Sequence, residues 1–181
     1  MSISIRSFFE VHLTRGCLLV LDIDETILKY DGICKQWWKD RFAYHHAIHN
    51  NYDLADSLCL KDWKEYIKLT LPSHTDADGF FDLIKRANKL TCKVMIVTAR
   101  DDQIKEITHE HLNYLNVTDI DVYFVAGGNK GLLIDRVISE NSQNYDGINF
   151  VDDMDHNLHD VKNHFGDKVT CYKFEIDHHN C

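Results

Sequence analysis

Two aspartates one residue apart, Asp22 and Asp24, close the apolar run Leu18-Leu19-Val20-Leu21. Carboxylates this close repel each other and demand a cation or a proton. In an extended strand they would share a face. At a strand's carboxyl end both can turn into the crevice where open α/β sheets bind ligands. The chemistry offered is Mg²⁺ binding, with one carboxylate as nucleophile and the other as proton carrier. The alternative is an acidic strand-to-helix turn in which Asp24 only caps a helix.

Three more polar groups stand just past apolar runs. Thr98 ends the run 93–98, Lys130 opens a helix after Ala126-Gly127-Gly128-Asn129, and Asp152-Asp153 follow the run 147–151. In an open parallel sheet such strand ends converge on one crevice. Each feature alone has a plain reading: Thr98 or Asp153 as a helix cap, Lys130 as a surface residue. Their order along the chain carries the signal.

The elements needed to position these groups follow from periodicity. Ser2 to His12 reads as a short amphipathic helix, ahead of the strand that ends at Asp22. A helix over 76–88, capped by Thr75, presents Phe80, Leu83, Ile84 and Ala87 and returns the chain to the strand 93–98. Helix 101–115, strand 121–125, helix 132–140, strand 147–151, helix 156–164 and strand 168–174 then alternate. Such alternation predicts an α/β fold, a parallel sheet flanked by helices with right-handed crossovers. Residues 27–75 are too long for one crossover. Helices over 35–50 and 60–69 are expected there, their aromatics mostly forming a small core of their own and the whole lying over the crevice as a lid. The domain reading is an α/β core of 1–28 and 76–181, with 29–75 as a small helical cap inserted after the first strand.

The 181 residues suit one such domain, and 44% hydrophobic content with a single proline argues against disorder. A formal charge of −9 disfavours nucleic acid as partner. No apolar run reaches the length of a membrane span and no signal peptide opens the chain, so a soluble, cytoplasmic protein is expected. The six cysteines show no C-x-x-C pair, which points to reduced, buried thiols. His45, His46 and His49 read as a solvated helix face rather than a zinc site, and His178 and His179 as adventitious metal binders. The chain stops soon after its last strand, at Asp177 to Cys181, and is expected to be a piece of a longer one.

The constellation resembles the haloacid dehalogenase (HAD) superfamily of phosphohydrolases, whose HAD-like Rossmannoid fold is then expected. Asp22-Ile23-Asp24-Glu25-Thr26 matches its first motif, D-x-D-x-[T/V]. Thr98 matches the second, Lys130 the third, and Asp152-Asp153 the fourth, in the family's order over residues 17–165. More narrowly, Gln36-Trp37-Trp38, Asn129-Lys130-Gly131 and Phe150-Val151-Asp152-Asp153 with Asn157 resemble a HAD family. That family includes effectors of intracellular bacteria with phosphotyrosine phosphatase activity.

The superfamily resemblance implies a Mg²⁺-dependent phosphatase. In it Asp22 forms an aspartyl-phosphate, while Asp24 protonates the leaving oxygen and then activates water. The acid two residues after the nucleophile separates phosphatases from dehalogenases. Implied Mg²⁺ ligands are Asp22, the backbone carbonyl of Asp24, and Asp152, with Asp153 supporting through a water or by anchoring Lys130. Thr98 and the N–H of Ala99 would hold a phosphate oxygen, and Lys130 would neutralise nucleophile and phosphoryl group. Thr26 would bond the loop backbone. Arg100 would either reach a substrate anion or form a structural ion pair. The narrower resemblance adds export into a host cell as a possible destination.

Substrate choice falls to the insertion, where Lys29, Lys35, Lys39 and Arg41 lie among aromatics. A basic, ring-stacking rim suits phosphotyrosine or another aryl phosphate, hence a phosphorylated protein as partner. Alternatives are a small phosphometabolite or nucleotide, and a non-catalytic binding module on a HAD scaffold. An end-processing nucleic-acid phosphatase is disfavoured by charge.

Overall fold

Leu18–Leu21 forms a strand with no exposed position. Leu19 and Leu21 feed one apolar core, Leu18 and Val20 another. A strand apolar on both faces needs cover on both. The computed structural model, which describes residues 2–142 and 144–176, supplies it in three layers. Its strands are β1 (Ile3–Ile5), β2 (Leu18–Leu21), β3 (Leu28–Lys29), β4 (Ser73–His74), β5 (Lys93–Thr98), β6 (Asp121–Phe124), β7 (Ile148–Asp152) and β8 (Val169–Phe174). Its helices are α1 (Lys35–His49), α2 (Tyr52–Leu69), α3 (Ala77–Lys89), α4 (Lys105–Tyr114), α5 (Lys130–Glu140) and α6 (Asp155–Phe165).

The main sheet has the order β1-β8-β7-β2-β5-β6, and every recorded pairing in it is parallel. The chain runs from β2 outward through β5 and β6, then returns to β7 on the other side of β2. The strand order therefore reverses between β2 and β7, the place where open α/β sheets carry ligand sites. On one face Ile134 and Val137 of α5 and Leu158 and Val161 of α6 cover Val20, Val97 and Phe150. On the other, Phe80, Leu83 and Ala87 of α3 and Leu112 of α4 cover Leu19, Leu21 and Ile96. The α3 residues recur at helical spacing, and each large apolar side chain so buried contributes about 1.5–3 kcal/mol.

Three local expectations are corrected. Ser2 to His12 is not a helix. Ile3–Ile5 pairs with β8, and a single 3-10 turn, Phe8–Glu10, follows, capped by Ser7. The turn stays short because Phe8 is drawn into the core against Phe80 and Phe174. The N-cap of α3 is Asp76, which accepts the Gly79 N–H at 3.1 Å, and also the Ser7 hydroxyl at 2.6 Å. Thr75 instead donates its hydroxyl to the Thr26 carbonyl. The second helix of the insertion begins at Tyr52, eight residues before the expected start, with Asn51 accepting the Leu54 N–H.

The insertion is a pair of packed helices, α1 and α2, and β3 and β4 pair antiparallel at its root. Its aromatics do not form a core of their own. Tyr30, Ile33, Trp63 and Ile67 belong to the same buried cluster as Leu19 and Leu21, while Tyr44 is exposed. His45 is buried and bonded to Asp62 of α2 at 2.9 Å, so it joins the two helices rather than facing solvent. Cys17, Cys59, Cys92 and Cys171 are free and buried. Cys181, His178 and His179 lie outside the described residues.

Candidate active site

β2 lies between β7 and β5, so the ends of three strands meet around Asp22. The Asp22 N–H donates to the Val151 carbonyl at 3.0 Å, continuing the β2–β7 ladder by one residue. The chain then curls back. The Ile23 carbonyl accepts from the N–H groups of Ile27 at 2.9 Å and Leu28 at 3.0 Å, and Glu25 takes a left-handed backbone with φ 57°. Asp22 meets Lys130 across the sheet end, while Asp24 meets Arg100.

Lys130 reaches Asp22 from the first turn of α5. Ala126 and Gly127 both have positive φ, at 48° and 74°, a pair of left-handed residues that a side chain at position 127 would strain. That turn is fastened to the end of β5, since the Gly127 N–H donates to the Ala99 carbonyl at 2.9 Å. Asn129 caps the helix by accepting the Leu132 N–H at 3.0 Å. Lys130 is only 1% exposed, and its Nζ donates to Asp22 Oδ1 and, at 2.7 Å, to Asp152 Oδ2. Burial would lower its pKa, but Asp22 and Asp152 outweigh burial and raise it, so Lys130 stays charged.

Asp152, at the end of β7, is fully buried. It accepts the Met154 N–H at 2.8 Å and the Asn157 amide at 3.1 Å, besides Lys130. The anchor of Lys130 is thus Asp152, not Asp153. Asp22, Asp152 and Asp153 each offer an oxygen, and these oxygens lie within 4.8 Å of one another. Burial, then the charges of Asp22 and Asp152, push the Asp153 carboxyl up to about 8. Burial likewise raises Asp22 to about 7, with Lys130 opposing and Asp152 and Asp24 adding to the rise. Desolvation and the Asp24 charge raise the half-buried Glu25 to about 7. An all-oxygen, anionic set, with Asp22 and Asp152 buried and Asp153 half-buried, that resists full ionisation fits a small hard dication.

Thr98, 1% exposed, accepts the Arg100 N–H on its Oγ1 at 3.2 Å, and Ala99 lines both clefts described below. Arg100 turns to Asp24 through two hydrogen bonds, Nε to Oδ2 at 2.8 Å and Nη2 to Oδ1 at 2.7 Å. Of the two readings open for Arg100 in the sequence, an ion pair is what the side chain makes. The Thr26 hydroxyl is buried without a hydrogen-bond partner, so it does not brace the loop as expected. Tyr30, Thr108 and His111, all buried around Arg100, were not among the expected site residues. The one signal for His111 was its place on the apolar face of its helix.

Two clefts meet at Asp24 and Ala99, with Trp38 of α1 on the wall of both. The larger, about 660 Å³, reaches Asp22 and Asp153 and is bordered by Lys35 and Lys39. The smaller, about 340 Å³, is walled by Trp38 and Trp63, whose rings pack against each other with centroids 6.1 Å apart, and by Tyr30, Leu60 and Arg100. Among the described residues no helix is long and apolar enough to cross a membrane.

Residues 120–175 match a family described as "Protein of unknown function (DUF2608)". No curated protein matches the sequence. Among solved structures, a HAD-superfamily hydrolase from Ehrlichia chaffeensis superposes with a TM-score of 0.55 at 12% identity, covering 91% of this chain and 90% of that one. A class C acid phosphatase from Bacillus anthracis, with tungstate bound, gives a TM-score of 0.42 at 15% identity, covering 89% of this chain and 68% of its own. The first likeness shows the fold, which is HAD-like.

Proposed function

We propose that this chain is a Mg²⁺-dependent phosphomonoester hydrolase working through an aspartyl-phosphate on Asp22. The observation that carries the reading is the buried contact of Lys130 with both Asp22 and Asp152 at the central strand ends, beside Asp153. A nucleophilic carboxylate needs a fixed cation to let an anionic phosphoryl group approach, and Lys130 is held where it can serve. Asp22, Asp152 and Asp153 would hold Mg²⁺, with the Asp24 carbonyl as the resemblance implies. The ion, when bound, supplies charge neutralisation for the phosphoryl oxygens.

In the first half-reaction an Asp22 oxygen bonds to phosphorus while the bond to the leaving oxygen breaks. That oxygen takes its proton from the Asp24 carboxyl. In the second, the Asp24 carboxylate removes a proton from water, the water oxygen bonds to phosphorus, and the Asp22–phosphorus bond breaks. Thr98 and the Ala99 N–H would hold a phosphoryl oxygen, and Lys130 would shield the nucleophile throughout. Arg100 is not free to bind substrate through the nitrogens it gives to Asp24.

For the substrate we favour an aryl phosphate, a phosphotyrosine in a protein. The support is the cleft walled by the packed rings of Trp38 and Trp63, which opens beside Asp24, where the leaving group would sit. The second reading, a phosphometabolite or nucleotide, draws on Lys35 and Lys39 along the larger cleft. Phosphate release from phosphotyrosine peptides and from a panel of phosphometabolites, with Mg²⁺ and with chelator, separates them. We expect peptide turnover that Mg²⁺ supports and that Asp22→Asn abolishes. Full activity in Asp22→Asn would refute the nucleophile. Inertness toward every phosphate ester would leave the binding module.

A further inference from the structure

Arg100 follows Thr98-Ala99 off the end of β5 and is 3% exposed. All three of its guanidinium nitrogens are engaged. Nε and Nη2 grip the two oxygens of Asp24 at 2.8 and 2.7 Å, Nη2 also donates to the Tyr30 hydroxyl at 2.9 Å, and Nη1 donates to Thr108 Oγ1 at 3.0 Å. The partners are themselves held. The Thr108 hydroxyl donates to the Ile104 carbonyl at 2.6 Å, and the Tyr30 hydroxyl lies 2.7 Å from His111 Nδ1. Because Tyr30 accepts from Arg100, its single proton goes on to His111. The rings of Trp63 and Tyr30 stand 5.5 and 5.9 Å from the guanidinium carbon, close enough for cation–π attraction.

Tyr30 lies at the root of the inserted helices, Trp63 is on α2, and Thr108 and His111 are on α4. We infer that Arg100 is a positioning residue that clamps Asp24 by both carboxylate oxygens and ties its orientation to the seating of the inserted helices. The inference rests on the reading of Asp24 as acid and base. Each clamped oxygen keeps a second lone pair, so the fork orients the carboxyl and leaves one site on each oxygen open to a proton. A planar fork does this and an ammonium does not, because a point charge leaves the carboxylate free to rotate.

A clamp on the acid makes a prediction that a general structural role does not. Expulsion of an alkoxide needs a proton from Asp24, whereas p-nitrophenolate leaves without one. The test measures the rate of Asp22 phosphorylation by an alkyl phosphate and by p-nitrophenyl phosphate in rapid-quench experiments with Mg²⁺. It compares Arg100→Lys, Tyr30→Phe and Asp24→Asn with the unaltered protein. In Arg100→Lys the alkyl rate is expected to fall about 100-fold, the scale of an ångström-sized misplacement of a reacting group. The p-nitrophenyl rate should fall only severalfold, and phosphoenzyme should accumulate as its hydrolysis slows. Tyr30→Phe should show the same asymmetry, weaker.

Equal losses on both substrates would overturn the clamp, as would no loss in either variant. Should Arg100→Lys fail to fold, Tyr30→Phe decides by the same criterion. If Asp24→Asn discriminates between the substrates and the clamp variants do not, this inference fails alone. If the unaltered protein forms no phosphoenzyme, the phosphatase reading fails and the inference with it.

Discussion

His111 is 2% exposed, and burial together with the Arg100 charge lowers its pKa from 6.5 to about 4. In the folded chain it is therefore a neutral acceptor for Tyr30, whose own hydroxyl is pushed up to about 12 by burial. The unfolded chain binds a proton at this position below 6.5 and the folded chain does so only below about 4. Between those values the unfolded state holds more protons, so stability falls as pH falls, by at most about 1.4 kcal/mol per pH unit for one such group. Below about 4 this loss levels off. Chemical denaturation of the protein and of His111→Asn across that window should show a shallower pH slope in the variant. Equal slopes would mean that His111 does not carry this dependence. No single-residue reading could have supplied the shift, because its second cause, Arg100, approaches only through the fold.

The helices α1 and α2 were legible in the sequence but their role was not. Their aromatic residues suggested a separate small core, yet Trp63 and Tyr30 are buried with the main sheet's apolar side chains, and Trp38 remains partly open on the wall of both clefts. Periodicity reports which residues share a helix face but not what that face meets. If the Trp38 indole contacts an aromatic leaving group, Trp38→Ala should raise KM for aryl phosphates about tenfold, the upper end of a ring–ring contact. KM for alkyl phosphates should change much less. Steady-state kinetics on matched pairs of substrates measures this, and parallel changes would place the aryl group elsewhere.

Across the whole molecule, a chain of net charge −9 gathers Asp22, Asp152 and Asp153 at one point and meets them with a single buried lysine. The raised carboxyls of Asp22 and Asp153 set the sign of a second dependence. Their folded pKa values, about 7 and about 8, lie above the ordinary 3.8, so the folded state holds more protons in between. Without a cation these groups cost stability as pH rises through that window, and the cost is complete above about 8. A dication relieves it by replacing protons. Mg²⁺ at a hundredfold excess over its Kd should stabilise the fold by about 2.7 kcal/mol. Its effect on Tm should be larger near pH 8 than near pH 5, because fewer protons compete there. Thermal unfolding with Mg²⁺ and with chelator at both pH values checks this. A shift independent of pH would separate the ion from these carboxyls.

The alternating elements, the parallel sheet and the positions of Asp22, Thr98, Lys130 and Asp152-Asp153 at strand or helix ends can be read along the chain. All of these are written in local runs of apolar residues and the polar residues that interrupt them. The pairings come from packing. Ile3–Ile5 is a strand because β8, far along the chain, offers it an edge beside Tyr172. Asp152 rather than Asp153 anchors Lys130, a choice between adjacent carboxylates that turns on which one faces α5. Arg100 and Asp24 lie 76 positions apart, and their contact exists because β5 is seated directly beside β2. Contacts of that range depend on how the layers pack, and local spacing does not encode packing.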